Sequence, residues 1–174
     1  MKIALLDDNP EQLERNQRFL STLPVEVVTA SLTAKTFLQE VKLSKPEILI
    51  LDLNLGDSYM TGMEVAHELK LPVLFASSNT PEYVKEMERL KREESLCVDH
   101  ITKPFTEQEF QKTLSRFLQE VTFFSNQSHV TLDLGKQKRI KLAVDSIVYL
   151  AADKASGSES NNKQIYFSNR KSES

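Results

Sequence analysis

The chain has 174 residues, 40 % of them apolar, with a formal net charge of −3 and a single cysteine, Cys97. That length allows one domain, or one domain and part of another, and supplies enough apolar residues for a core. It excludes an intrachain disulfide and argues against a cysteine zinc site; no apolar run approaches the roughly 20 residues needed to span a bilayer.

No signal-peptide pattern precedes the first strand-like run, so the reading is a cytoplasmic protein without membrane insertion, and Cys97, within an apolar run, reads as a buried thiol. Charge is uneven. Residues 1–125 hold 14 Lys/Arg against 20 Asp/Glu, and residues 126–174 hold 8 against 5. The change supports two modules, the second with a basic face that suits either solvent or a polyanion.

Two patterns alternate from residue 1 to 121. Strand-like runs fall at Lys2–Leu6, Val25–Thr29, Glu47–Leu53, Val73–Ala76 and Cys97–Ile101. Several are continuous Ile, Leu and Val, as in parallel strands buried on both faces. Helical segments lie between and after them. The first opens Asn9-Pro10-Glu11, an N-cap followed by proline. The second runs roughly from Thr33 to Val41, and the third follows Gly62. The fourth opens Thr80-Pro81-Glu82. The fifth opens Thr106-Glu107-Gln108-Glu109, a capping box, and carries apolar residues to Val121. Five strands alternating with five helices predict an α/β fold: a doubly wound, flavodoxin-like parallel sheet of order 2-1-3-4-5.

Past residue 122 the character changes. Residues 122–128 read as a linker. Val130–Leu134, Arg139–Leu142, Ser146–Ala151 and Ile165–Phe167 read as strands, with a turn at Gly135-Lys136-Gln137 and a polar loop over residues 153–163. A partial all-β segment is therefore expected over 129–174.

The chemistry sits at strand ends. Asp7-Asp8 follows the first strand, Asp52 ends the third, Ser77 follows the fourth, and Lys103-Pro104 follows the fifth. In an open parallel sheet this is the ligand-binding end. A single acid before a helix is explained by the helix dipole, but two adjacent acids ending a buried strand repel each other, and a cation relieves that. Hard oxygen donors point to Mg²⁺ rather than zinc. Beside that pair, Asp52 becomes a carboxylate nucleophile able to form an acyl phosphate. Ser77 is placed to donate to a phosphoryl oxygen. Lys103 is placed to pair with Asp52 and then with phosphate, and a cis Lys103–Pro104 bond would aim it inward.

These residues, in this order, resemble the receiver domain of two-component response regulators over about residues 1–121. The resemblance implies that Asp52 is the phospho-acceptor, Ser77 the switch hydroxyl and Lys103-Pro104-Phe105 the family's Lys-Pro-Phe. It implies Mg²⁺ held by Asp8, Asp52 and the backbone carbonyl of Asn54, with Asp7 acting largely through water. It also implies a sensor histidine kinase as phosphoryl donor. His100 stands where the family's switch aromatic sits and is expected to turn inward on activation, with dimerisation through the face of the fourth helix and fifth strand. The loop from Asn54 to Gly62 is longer than is usual in the family, and Ser78 replaces a common alanine. Residues 126–151 resemble the opening of a LytTR DNA-binding domain, chiefly through Asp145–Ala152. That resemblance implies a transcriptional output on DNA in a longer protein. No base-reading residue emerges, although Lys136, Lys138, Arg139, Lys163 and Arg170 are candidates for phosphate contact.

Three functions remain open on the residues. The leading one is a phosphorylation switch with a LytTR output and no enzymatic turnover beyond its own phosphorylation and dephosphorylation. The second is a stand-alone receiver that relays phosphate or binds a partner protein. The third is a phosphohydrolase using Asp52 as nucleophile, which lacks a second acid two residues on and leaves Asp7-Asp8 unexplained.

Overall fold

The computed structural model describes residues 1–56, 60–78, 80–93, 95–127, 129–133, 139–143, 147–153 and 162–167, with the backbone alone at 80–82 and from 126 onward. The chain divides into two compact units, Met1–Val121 and Thr122–Ser174.

The first unit contains a five-stranded sheet of order β2-β1-β3-β4-β5, with every neighbouring pair parallel. Its strands are β1 (Lys2–Leu6), β2 (Glu26–Ser31), β3 (Ile48–Leu51), β4 (Val73–Ser77) and β5 (Val98–Thr102). The helices are α1 (Pro10–Ser21), α2 (Ala34–Ser44), α3 (Gly62–Leu69), α4 (Thr80–Glu93) and α5 (Glu107–Gln127). The order is the flavodoxin-like one expected from the alternation.

Successive residues of a strand face opposite sides, so a run of Ile and Leu serves two cores at once. Ile3, Leu5, Ile48, Ile50 and Leu74 pack with Leu13, Leu20, Phe110, Leu114 and Phe117 of α1 and α5. Ala4, Leu6, Leu49, Leu51 and Phe75 face the other way, onto Phe37, Val41, Met63, Val65 and Leu90 of α2, α3 and α4. Burying an aliphatic side chain of this size stabilises by roughly 1.5–3 kcal/mol, which fixes the register at the strand ends carrying the polar groups.

Local signals decide the helix starts. The Asn9 side chain accepts from the N–H groups of Glu11 and Gln12, with Pro10 in the first turn. Thr33 caps α2. Thr106 and Glu109 form the expected capping box of α5. The third helix differs from expectation: it begins at Gly62 itself, and Thr61 and Glu64 form a second capping box.

Other boundaries move as well: α2 runs to Ser44, and β4 includes Ser77 as its last residue rather than ending before it. β2 runs on to Ser31, because Asp7 N–H bonds the Ser31 carbonyl and carries pairing to the strand end. β3 is confined to Ile48–Leu51, since Leu53 has already turned toward α3, its carbonyl accepting from Gly62 N–H. β5 starts at Val98, leaving Cys97 half-buried rather than buried, although its desolvation still pushes the thiol up to about 11. The helix α5 continues to Gln127, so residues 122–127, expected as linker, are helical; Phe123 and Phe124 on this extension are 59 % and 57 % exposed and stack edge to face.

In the second unit, β6 (His129–Asp133) and β7 (Arg139–Ala143) form one antiparallel pair, and β8 (Ile147–Asp153) and β9 (Asn162–Phe167) another. The turn at Gly135-Lys136-Gln137, most of the polar loop at 153–163, and Lys136, Lys138 and Arg170 lie outside the described residues. Among the described residues, no helix is long and apolar enough to cross a membrane.

Candidate functional site

The C-terminal ends of β1, β3, β4 and β5 bring Asp7, Asp8, Asp52, Ser77 and Lys103 to one edge of the sheet. Asp52 follows β3 directly, and its N–H bonds the Leu6 carbonyl at 2.8 Å, which seats it beside the end of β1. Lys103 follows β5, and its N–H bonds the Ser77 carbonyl at 3.0 Å. Parallel register therefore aligns the polar groups before any side-chain interaction is counted.

The Lys103 ammonium lies between two carboxylates. Nζ is 2.7 Å from Asp7 Oδ2 and 2.6 Å from Asp52 Oδ2. The Asp7 and Asp52 side chains are 2 % and 11 % exposed, so both interactions run through a medium less polar than water. Burial raises the Asp7 carboxyl above its ordinary value, while the bond from Lys103 and the N–H of Asn9 pull the other way. The Lys103–Pro104 peptide is cis, as expected from the sequence. Phe105, 6 % exposed, stacks on Phe110 at 5.4 Å, and the Arg15 guanidinium lies 5.6 Å above its ring. Aromatic and cation–π contacts thus anchor the loop that carries the lysine.

Asp8 is exposed and held differently. Its Oδ2 accepts from the N–H of Gly56 at 2.7 Å, across the β3–α3 loop. Asn54 N–H reaches Asp52 Oδ1 at 3.3 Å, and the Asn54 carboxamide oxygen accepts from the Tyr83 hydroxyl of α4 at 3.0 Å. One carboxylate oxygen from each of Asp7, Asp8 and Asp52 lies within 4.8 Å of the others.

Among the described residues, three carboxylates thus face one ammonium. That imbalance, with an all-oxygen donor set, fits a hard divalent cation such as Mg²⁺. Asp7, Asp8 and Asp52 supply the side-chain donors, and Asn54 is on the same rim.

Ser77 is fully buried at the end of β4. His100 is exposed on β5; it lines a groove with Val84, Met87 and Lys91 of α4, and a second one with Pro104 and Phe105. It does not enter the crevice.

Three residues of the site escaped the sequence reading. A Cβ on Gly62 would fall 1.9 Å from the Asp52 carbonyl oxygen, so only glycine lets α3 start against the Asp52 backbone. A Cβ on Gly56 would meet Asp8 Oδ2 at 2.7 Å. Tyr83 is the third, through its bond to Asn54. Gly62 had a usable signal, as the glycine that opens the third helix expected from the sequence; nothing in sequence spacing marks Tyr83 or the approach of Gly56 to Asp8.

Known proteins are similar to this chain in sequence and in fold. The response regulator receiver domain family matches residues 3–115. The sensory transduction protein LytT of Bacillus cereus is 29 % identical over 124 residues, covering 67 % of this chain and 47 % of LytT, and LytT of Bacillus anthracis matches equally. The chain therefore spans about half the length of these curated relatives. Among solved structures, the chemotaxis response regulator CheY4 of Vibrio cholerae superposes with a TM-score of 0.57 at 23 % identity, covering 67 % of this chain and 97 % of that one. A response regulator receiver domain protein from Clostridium thermocellum gives 0.56 at 18 %, covering 71 % and 98 %. At such identities the structures speak for the fold, while the family match spans well over half of the chain. The chain belongs to the response regulator receiver domain family.

Proposed function

We propose that this chain is the phosphorylation switch of a two-component response regulator, with Asp52 as phospho-acceptor and a sensor histidine kinase as donor. The observation that carries the reading is the Lys103 ammonium shared between Asp7 and Asp52, with Asp8 completing an acidic triad. A carboxylate held at a strand end, beside a fixed ammonium, is positioned for in-line attack on phosphorus.

An Asp52 carboxylate oxygen forms the new bond to phosphorus as the P–N bond of a kinase phosphohistidine breaks, the departing imidazole keeping the electron pair. A bound Mg²⁺ supplies charge neutralisation for the carboxylates and phosphoryl oxygens. Asp8 and Asp52 would hold it with the Asn54 carbonyl, and Asp7 largely through water. Lys103 then exchanges part of its pairing with Asp52 for a phosphoryl oxygen, and the Ser77 hydroxyl donates to another. The chain acts on itself and turns over no external substrate.

The consequence is repacking of the face formed by α4 and β5. His100 turns inward and two chains associate through that face; support comes from the groove beside His100 and from Val84, 44 % exposed on α4. Residues 1–121 form the receiver and residues 129–174 the first part of a LytTR-like domain. In a longer protein that domain binds DNA and controls transcription, in the cytoplasm. The likeness to LytT and the two antiparallel strand pairs support this output over a stand-alone receiver.

Acetyl phosphate with and without Mg²⁺, read by intact mass, tests the switch. One Mg²⁺-dependent phosphoryl adduct, lost in Asp52→Asn, is the expected result. A folded protein with no adduct, or an Asp52→Asn chain that still labels, would refute it.

A further inference from the structure

We infer that Tyr83 is a positioning residue for the Asp52 site, holding Asn54 and the β3–α3 loop from α4 so that α4 senses what the site holds. The inference rests on the cation reading above and adds to it a residue and a direction of coupling.

Among the described residues, three bonds tie Asn54 and Gly56 of the loop leaving Asp52 to their surroundings. Asn54 N–H meets Asp52 Oδ1, Gly56 N–H meets Asp8 Oδ2, and the Asn54 carboxamide oxygen accepts the Tyr83 hydroxyl. The first two bonds lie within the site itself. The third comes from a different element, 29 residues along the chain. Asn54 is exposed and would otherwise be free to change rotamer, as would the loop backbone beside it. Tyr83 is half-buried, with its ring packed against the same core as Leu53, Met63 and Phe75. A packed aromatic ring offers a hydroxyl at a nearly fixed point, because it has few torsions to reorder.

Two consequences follow. With Asn54 restrained beforehand, a cation meets a loop that needs less ordering, so binding is tighter than it would be without the hydroxyl. The bond also ends on α4, the helix that carries Val84 and lines the His100 groove. Whatever the cation or a phosphoryl group does to Asn54 changes the footing of Tyr83, and the coupling is reciprocal by linkage.

The test uses the whole chain and MgCl₂ as probe. Mg²⁺ affinity is measured by titration calorimetry for the wild type, Tyr83→Phe, Asn54→Ala and the double variant. Backbone hydrogen exchange of α4 is followed with and without Mg²⁺. Losing one ordinary hydrogen bond predicts about fivefold weaker binding in Tyr83→Phe. Asn54→Ala should weaken binding similarly, and the double variant should be no weaker than the worse single, because both remove the same bond. Mg²⁺ should slow α4 exchange in the wild type and lose that effect in Tyr83→Phe, a change that a purely structural tyrosine would not produce. Unchanged affinity in Tyr83→Phe, or additive losses in the double variant, overturns the inference while leaving the cation site standing. A wild type that binds no Mg²⁺ overturns both. Asn54→Ala breaks the bond from the loop side with α4 intact, so a Tyr83→Phe chain that fails to fold does not shield the idea.

Discussion

The two halves of the acidic crevice are built on different principles. Asp7, Asp52 and Ser77 stand buried at strand ends with the half-buried Lys103 beside them, their positions set by parallel pairing and by two cores packed on either face. Asp8, Asn54 and Gly56 are exposed and held by individual hydrogen bonds across a loop. The first half holds Asp52 and the Lys103 ammonium in a fixed relation, as the proposed phosphoryl transfer requires. The second has few contacts to lose, so its geometry can follow the ligand at little cost. Substitutions in the buried half should therefore reduce stability and phosphorylation together, whereas those in the loop half should act on ligand affinity alone.

The largest expected effect is at the seam. In Gly62→Ala a methyl group would be placed 1.9 Å from the Asp52 carbonyl oxygen, where the obstacle is backbone and cannot swing aside. Overpacking of that kind costs about 3 kcal/mol. Chemical denaturation should show that loss, and acetyl phosphate labelling of Asp52 should fall with it. A Gly62→Ala chain of wild-type stability would mean that α3 can start further from Asp52 than the structure places it.

Lys103→Met comes next. It leaves Asp7 and Asp52 facing each other and Asp8 without the ammonium, and removing one member of a buried ion pair costs about 3 kcal/mol. Labelling of Asp52 should be lost. Millimolar Mg²⁺ should restore more stability to this variant than it adds to the wild type, because the cation then has three uncompensated carboxylates to bind. Equal stabilisation of both proteins would show that lysine and cation do not share the same charges.

The two halves were also unequally legible in the sequence. Asp7, Asp52, Ser77 and Lys103 each follow an apolar run, and a continuous Ile-Leu-Ile-Leu strand has only one place in an α/β sheet, so fold and convergence could be read together. Gly56 and Tyr83 could not be found that way. Their partners, Asp8 and Asn54, lie 48 and 29 residues away, and no periodicity encodes a contact made by a loop. Boundaries failed for a related reason. Phe123 and Phe124 extend α5 while standing exposed, so the apolar face that marked the helix as far as Val121 gave no reason to continue it. Cys97 lies in an apolar run yet just outside β5, where burial is only partial.

Gly56→Ala probes the loop half. Here the added Cβ would meet the end of the Asp8 side chain at 2.7 Å, which can rotate away, so stability should stay within about 0.5 kcal/mol of wild type. Asp8 would leave its bond to the Gly56 N–H, and Mg²⁺ affinity measured by calorimetry should drop by about fivefold. A loss of stability as large as that of Gly62→Ala would erase the distinction between the halves.

Thr61→Ala should give the smallest effect, and its pH dependence identifies its cause. Thr61 ends the loop and caps α3: its side chain accepts from Glu64 N–H at 3.2 Å, while Glu64 Oε2 accepts from the Thr61 N–H at 2.7 Å. The Thr61 N–H, and after it the Thr61 hydroxyl donating to the same Oε2 at 3.0 Å, hold the Glu64 carboxyl below its ordinary 4.5. A depressed carboxyl contributes stability that is present above the unfolded value and is lost as pH falls through the lower folded value. In Thr61→Ala the hydroxyl's bonds disappear while the backbone N–H remains, so only part of the depression is removed. The variant should therefore melt a few degrees lower at neutral pH, and the gap should narrow as the pH is taken below 4.5, where Glu64 protonates in both proteins. Since the cap anchors the far end of the loop rather than any ligand, Mg²⁺ affinity should be unchanged; a clear loss would mean that the loop transmits strain from its helix end to Asn54, and that its three bonds do not act independently.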